Sequence, residues 1–415
     1  MGLFNGEKLF IGYDLENDFC QISYSISEKS EVETLSQVAG DQLYNIPAVL
    51  CKRPGVNQWF YGKEALRYEK EQNGILVHDL LAQALDGEPV LIEGESFQPV
   101  ALLTLFVKRS LGLLSQVVST DKITAVMFTS RVLDGRMLEV LNQVTAGLHL
   151  KTDRVFYQSH TESYYYYLIH QTQELWLHQA LLLDGTRDMV RTYRMECNRR
   201  TTPIVAFIEE REYPFPEGSG EDMDRTLLQI GRECCEGENV CSVFLIGDIF
   251  DQDWMKESLR YFCRGRRVFQ GNNLFSKGAC YGALEKISPG EISKSHVFLG
   301  NEKLKANVGL HILRQGEDSY YALLDAGENW YEAEYTFEFY IQGGNVLPLV
   351  ITPLMGKSAV TKLLTLKDFS GEAARIRGNF YMESERVLIA ELEDLGFGEI
   401  RAATGKQWKQ KLELY

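Results

Sequence analysis

The chain has 415 residues, 45% of them hydrophobic and 24% charged, enough for two or three domains with cores of their own. Its 43 Lys and Arg against 58 Asp and Glu give a formal net charge of −15, which disfavours a broad basic face for nucleic acid or an anionic membrane. No run approaches the roughly 18 uninterrupted apolar residues of a transmembrane helix, so none is expected.

The opening MGLFNGEKLFIGYDL lacks a basic segment followed by an apolar one and a cleavage site, so secretion is not expected and a cytoplasmic location is. Gly2 invites a myristoylation reading, but Gly6 stands where Ser or Thr is needed. Eight cysteines sit mostly inside apolar patterns without a CxxC pair and read as buried thiols. Cys234, Cys235 and Cys241 lack zinc-site spacing.

Residues 8–27 hold two β-rich runs around the turn-like Asp14-Leu15-Glu16-Asn17-Asp18, a hairpin signal. Val49 to Cys51 and Trp59 to Tyr61 read as strands around Pro54-Gly55, and Gly62 starts a helix. Apolar residues at Val100, Leu103, Phe106, Val107, Leu111 and Leu114 predict an amphipathic helix over 97–118. Ile123 to Phe128 follows as a buried strand, then a helix through Leu138, Leu141 and Val144 that Gly147 is expected to close. Arg154 to Tyr157 is a strand leading into Ser159-His160-Thr161. By pattern no Ser or Cys nucleophile pairs with His160, which reads as a structural histidine. Tyr164 to Tyr167, consecutive on a helix, are expected to pack their rings with hydroxyls at a wet edge.

Leu181 to Tyr193 repeats strand, acidic turn, strand, with Arg187 placed to offset Asp184. A strand over Thr202 to Glu209, a Pro/Gly-rich loop and a helix over Asp222 to Cys235 come next. The buried strand Val243 to Ile246 stops at Gly247-Asp248, where the backbone turns at the carboxyl end of a strand. A helical pattern with Trp254, Leu259 and Phe262, a strand at Val268-Phe269 and a helix from Leu274 complete an α/β unit. Gly278 and Gly282 share one face of that last helix and permit close approach. Beyond Ala283 come strand signals at Ser295 to Leu299, Val308 to Leu313, Tyr320 to Leu324, Tyr335 to Tyr340, Leu347 to Ile351, Ala373 to Tyr381, Arg386 to Asp394 and Gln407 to Leu414. Such spacing argues a sandwich-like domain. Trp330, Tyr331, Tyr335, Phe337 and Phe339 either line a groove or fill its interior.

These residues resemble the actin, sugar-kinase and DnaK-type chaperone superfamily. The likeness lies in Lys277, Gly278, Ala279, Gly282 and Ala283 after the Gly247 turn, in Ala146-Gly147-Leu148 before a strand, and in the two hairpins led by Asp14 and Asp184. The resemblance implies an α/β two-lobed actin-like ATPase fold of ribonuclease H-like subdomains, with lobe I over 1–178 and a shortened lobe II over 179–285. A β-rich, sandwich-like C-terminal domain over 286–415 follows, with no helical lid expected after it. The resemblance also implies a cleft for ATP or ADP with Mg2+. Its remnants are Asp14, Asp184, Gly185, Gly247, Asp248 and Lys277, with Asp14 and Asp184 facing the metal.

The departures from the superfamily pattern cluster at that cleft. Turn glycines are missing from the first phosphate loop and reduced to Gly185 in the second, and Asp248 stands for a glycine. Leu76 to Gly87 contains no lysine, Ser159 and His160 replace a Glu and a Pro, and the span from Asp184 to Gly247 has no room for a helical subdomain. Phosphoryl transfer rests on positioning and charge stabilisation. The resemblance with these losses implies a chaperone-like or scaffolding protein with weak or lost ATP hydrolysis, binding a protein partner through the C-terminal domain. An active ATP-dependent chaperone and a small-molecule or sugar kinase are the alternatives.

Overall fold

The computed structural model describes residues 8–414 except 29, 37–42, 119–121, 355–357 and 370–372; Gly2 and Tyr415 lie outside the described residues. The chain divides into two units, Met1–Val297 and Phe298–Tyr415.

Two sheets carry the first unit. β1 (Leu9–Leu15) and β2 (Phe19–Ser25) form the first expected hairpin, and all of β1 is buried. The helix α1 (Pro99–Leu111) leads through a 3-10 turn toward β3 (Ile123–Ser130), which runs parallel to β1. α2 (Gly135–Leu148) packs on α1 and is followed by β4 (Val155–Ser159), parallel to β3. The sheet order is β4-β3-β1-β2, with a two-residue strand Glu33–Thr34 antiparallel to β2 at its edge.

Asp134 caps α2, its carboxylate accepting the Met137 amide at 2.8 Å. The helix ends at His149, which takes the left-handed conformation, so Gly147 does not terminate it. Gly147 is small for a different reason: a Cβ there would lie 2.9 Å from the Thr104 methyl of α1.

After α3 (His160–Ile169), the second sheet repeats the first. β5 (Gln179–Gly185) and β6 (Met189–Asn198) form an antiparallel hairpin, extended by antiparallel β7 (Ile204–Pro214). Past α4 (Gly220–Cys235), β8 (Val240–Ile246) runs parallel to β5, and β9 (Arg267–Gln270) parallel to β8. The order β9-β8-β5-β6-β7 matches the main path of the first sheet; the sixth strands differ, His296–Phe298 lying beyond β7 and Ile46–Pro47 pairing with β2.

The helix expected after Gly247 is reduced to a 3-10 turn, Asp248–Asp251, and a short helix, Glu257–Phe262. Asp224 of α4 anchors it, its carboxylate accepting the amides of Lys256, Glu257 and Ser258 at 3.0, 2.9 and 3.0 Å. Asp224→Ala is therefore expected to lower the stability of this unit by about 2 kcal/mol, read as a lower urea midpoint. An unchanged midpoint would mean that Asp224 does not hold the segment.

α5 (Leu274–Ile287) comes from the second repeat but lies on the first sheet and against α3. A Cβ on Gly12 of β1 would fall 2.2 Å from the Ser276 carbonyl, and one on Gly278 1.9 Å from the Ser163 carbonyl. Backbone thus meets backbone on two sides of this helix. Tyr164 and Tyr165 are buried as a result, and the Tyr164 hydroxyl has no hydrogen-bond partner among the described residues. The wet edge expected for these tyrosines does not exist for Tyr164, which sits edge-on to Phe244 of β8.

The second unit consists of two four-stranded antiparallel sheets. β10 (Ala306–Arg314), β11 (Glu317–Leu324), β13 (Val346–Pro353) and β14 (Val360–Thr365) form one, in the order β11-β10-β13-β14, where β12 (Glu334–Ile341) begins the other. β15 (Ala374–Met382), β16 (Val387–Asp394) and β17 (Gln407–Glu413) complete the second, in the order β12-β15-β16-β17. Alternating positions such as Leu347, Leu349 and Ile351 of β13 and Ala374, Ile376 and Phe380 of β15 meet in a shared core. Trp330, Phe337 and Phe339 pack against this core, whereas Tyr335 is at its margin and hydrogen-bonds Tyr321 through the hydroxyls at 2.6 Å. The sequence pattern missed β14.

Candidate functional site

The carboxyl ends of β1, β5 and β8 face one cleft of about 560 Å³. Open α/β sheets bind ligands at that edge. Asp14, Asp184, Gly185, Gly247 and Asp248 all line it, as their positions in sequence led one to expect. Lys277 does not. It sits a turn into α5 with Glu31 and Glu33 as its charged neighbours, and partial burial pushes its ammonium below the ordinary value.

Gly247 is fixed by geometry. Its φ is 104°, a Cβ would lie 2.1 Å from the Gly185 carbonyl, and its amide donates to Asn272 Oδ1 at 3.0 Å. The ends of β5 and β8 are thereby pressed together, which sets Asp184 and Asp248 on one wall.

On the other wall, Asp14 is 2% exposed and its Oδ1 lies 2.8 Å from His160 Nε2. Glu16 Oε1 approaches the same nitrogen at 3.4 Å, and Glu16 Oε2 accepts from the Arg131 guanidinium at 3.1 Å. The imidazole stacks on Phe275 of α5 with centroids 3.8 Å apart and planes 13° apart. His160 is structural in being buried and bonded, but it belongs to the cleft. Arg131 and the pairing of Glu16 escape sequence reasoning. The signal for them was positional: Asp14, Arg131 and His160 each stand at or just past the end of one of three adjacent parallel strands.

Burial dominates the electrostatics of the two acids Glu16 and Asp184. It raises their carboxyls above the ordinary range, against the opposing charges of His160 and Arg131. Burial alone would lower the His160 value; the charge and hydrogen bond of Asp14, with Glu16 behind, turn the shift upward. Among the described residues, Asp184 and Arg187 do not form the expected ion pair. The Asp184 carboxylate, 9% exposed, takes neither a hydrogen bond nor an ion pair among the described residues.

Magnesium nucleotide is a poor fit to these residues. The acids Asp14, Glu16, Asp18, Asp184, Asp188 and Asp248 line the cleft against Arg131, Arg187 and His160. Backbone amides that would greet phosphate are engaged elsewhere: Glu16 N donates to the Phe19 carbonyl at 3.0 Å and Thr186 N to that of Met189 at 2.8 Å. The Asp14 carboxylate faces the His160 imidazole nitrogen, a neighbour that Mg2+, which takes oxygen ligands, does not favour.

Residues 31–301 match the C-terminal part of a family of unknown function, DUF5716, and the chain belongs to that family. Residues 303–414 match a domain of unknown function, DUF8552. A comparison with curated proteins found no match. Among the described residues no helix is long and apolar enough to cross a membrane.

Proposed function

We propose that this DUF5716 member is a divergent, DnaK-related protein of the actin-like type that binds a protein partner and has lost ATP hydrolysis. What supports the fold part of the reading is the repeat: two sheets that share the order of their five main strands, each led by a hairpin with an acid in its turn, their ends meeting at one cleft. The observation that carries the loss of hydrolysis is the imidazole nitrogen of His160 set against the Asp14 carboxylate, a mixed nitrogen and oxygen set unsuited to the oxygen-bound, hydrated Mg2+ that phosphoryl transfer needs. Like charges on the cleft walls, without a lysine among them, oppose a polyphosphate further.

A protein-binding role rests on the second unit, whose sheets leave Leu313, Tyr340 and Leu363 at 75, 67 and 59% exposure. Exposed apolar side chains on both sheets are what a protein partner would cover. The full-length chain incubated with Mg2+ and ATP is expected to release no phosphate above background. Turnover that disappears in Asp14→Asn would overturn the proposal.

A further inference from the structure

We propose that Asp14, Glu16 and His160 form a site for one first-row transition-metal dication, with Asp184 as a further ligand from the facing wall, occupied without any nucleotide. This inference does not rest on the loss of hydrolysis. The ligand atoms of Asp14, Glu16 and His160 all lie within 4.8 Å of one another, so one ion at about 2.0–2.2 Å reaches all three with side-chain adjustments alone.

Two further observations favour a cation at this cluster. Glu16 Oε1 is buried, faces the cluster with His160 Nε2 at 3.4 Å, and takes no hydrogen bond among the described residues. A buried carboxylate oxygen left without a donor is costly, and a metal supplies what the protein does not. Asp184, nine-tenths buried and lining the same cleft, takes no hydrogen bond or ion pair among the described residues. Arg131 holds Glu16 through its other oxygen at 3.1 Å and so orients it.

Ligand chemistry selects the kind of ion. Mg2+ and Ca2+ take oxygen ligands, and an imidazole nitrogen beside two or three carboxylates suits Mn2+, Fe2+, Co2+ or Zn2+ instead.

The test is titration of the chelator-treated full chain with Co2+, without nucleotide, followed by visible absorption. One Co2+ per chain is expected, displaced by Zn2+ and not by millimolar Mg2+, with affinity lowered roughly 10-fold or more in His160→Gln and in Glu16→Gln. Pulsed EPR of the Mn2+-loaded wild-type chain is expected to show nitrogen coupling from one imidazole, a readout that needs no variant to fold. No cobalt spectrum, displacement by Mg2+, or manganese without nitrogen coupling would each overturn the site. Nucleotide binding would leave this proposal standing while sinking the previous one, so the two fail separately.

Discussion

Gly278→Val is expected to be the most damaging single substitution in the first unit, lowering its stability by at least about 3 kcal/mol, or roughly 10 °C in midpoint. The added Cβ would sit 1.9 Å from the Ser163 carbonyl oxygen and 2.6 Å from its carbon. Those are backbone atoms of α3, so no rotamer change relieves the clash. The helices must separate, and α5 cannot retreat because Gly12 of β1 meets it from another side. Separation also unstacks His160 from Phe275, since each stands at the start of one of the two helices. Gly271→Ala is the control: nothing lies within 4 Å of its Cβ position, and a change within about 0.5 kcal/mol is expected. Thermal unfolding followed by circular dichroism separates the cases, and a Gly278→Val midpoint equal to wild type would refute the packing described here.

Asp394→Ala is expected to cost the C-terminal unit about 3 kcal/mol. Asp394 is 1% exposed at the end of β16 and accepts the Gly396 amide at 2.8 Å and the Thr404 hydroxyl at 2.5 Å. It also pairs with the Arg401 guanidinium at 2.7 Å. Removing it strands a half-buried cation and frees the loop between β16 and β17. Burial opposes ionisation of this carboxyl, but the hydrogen bonds from Thr404 and Gly396 and the charge of Arg401 hold it below the ordinary 3.8. A depressed folded value means stability that is present above the unfolded value and lost as pH falls through the folded one. Wild type should therefore lose stability on acidification below about pH 4 with a contribution that Asp394→Ala lacks. Urea midpoints at pH 3, 4 and 7 check this; parallel pH dependences in the two proteins would show that Asp394 is not held as an ion.

Much of this arrangement was legible in sequence because it is local. The hairpins carrying Asp14 and Asp184, the strand ending at Gly247 and the small-residue face of α5 each have a signature within one element. What was not legible is what folding brings together. Arg131 meets Glu16 across 115 positions and His160 meets Asp14 across 146, and neither pairing leaves a local pattern. Gly147 misled because a glycine near a helix end looks like a terminator, when its size serves the contact with Thr104 and His149 takes the left-handed cap. Lys277 misled because its place in a run of small residues fixes the helix without saying which way its side chain points. The reduced helix after Gly247 lost its pattern to Asp224, whose carboxylate starts the helix later than the apolar periodicity implies.

Isothermal titration of the full chain with ATP and with ADP, each at millimolar concentration with Mg2+, tests the central claim most directly. The bonded Asp14 and the acid-lined cleft predict flat traces for both nucleotides. A saturable, Mg2+-dependent heat that vanishes in Asp184→Asn would contradict the account and restore the cleft as a nucleotide site.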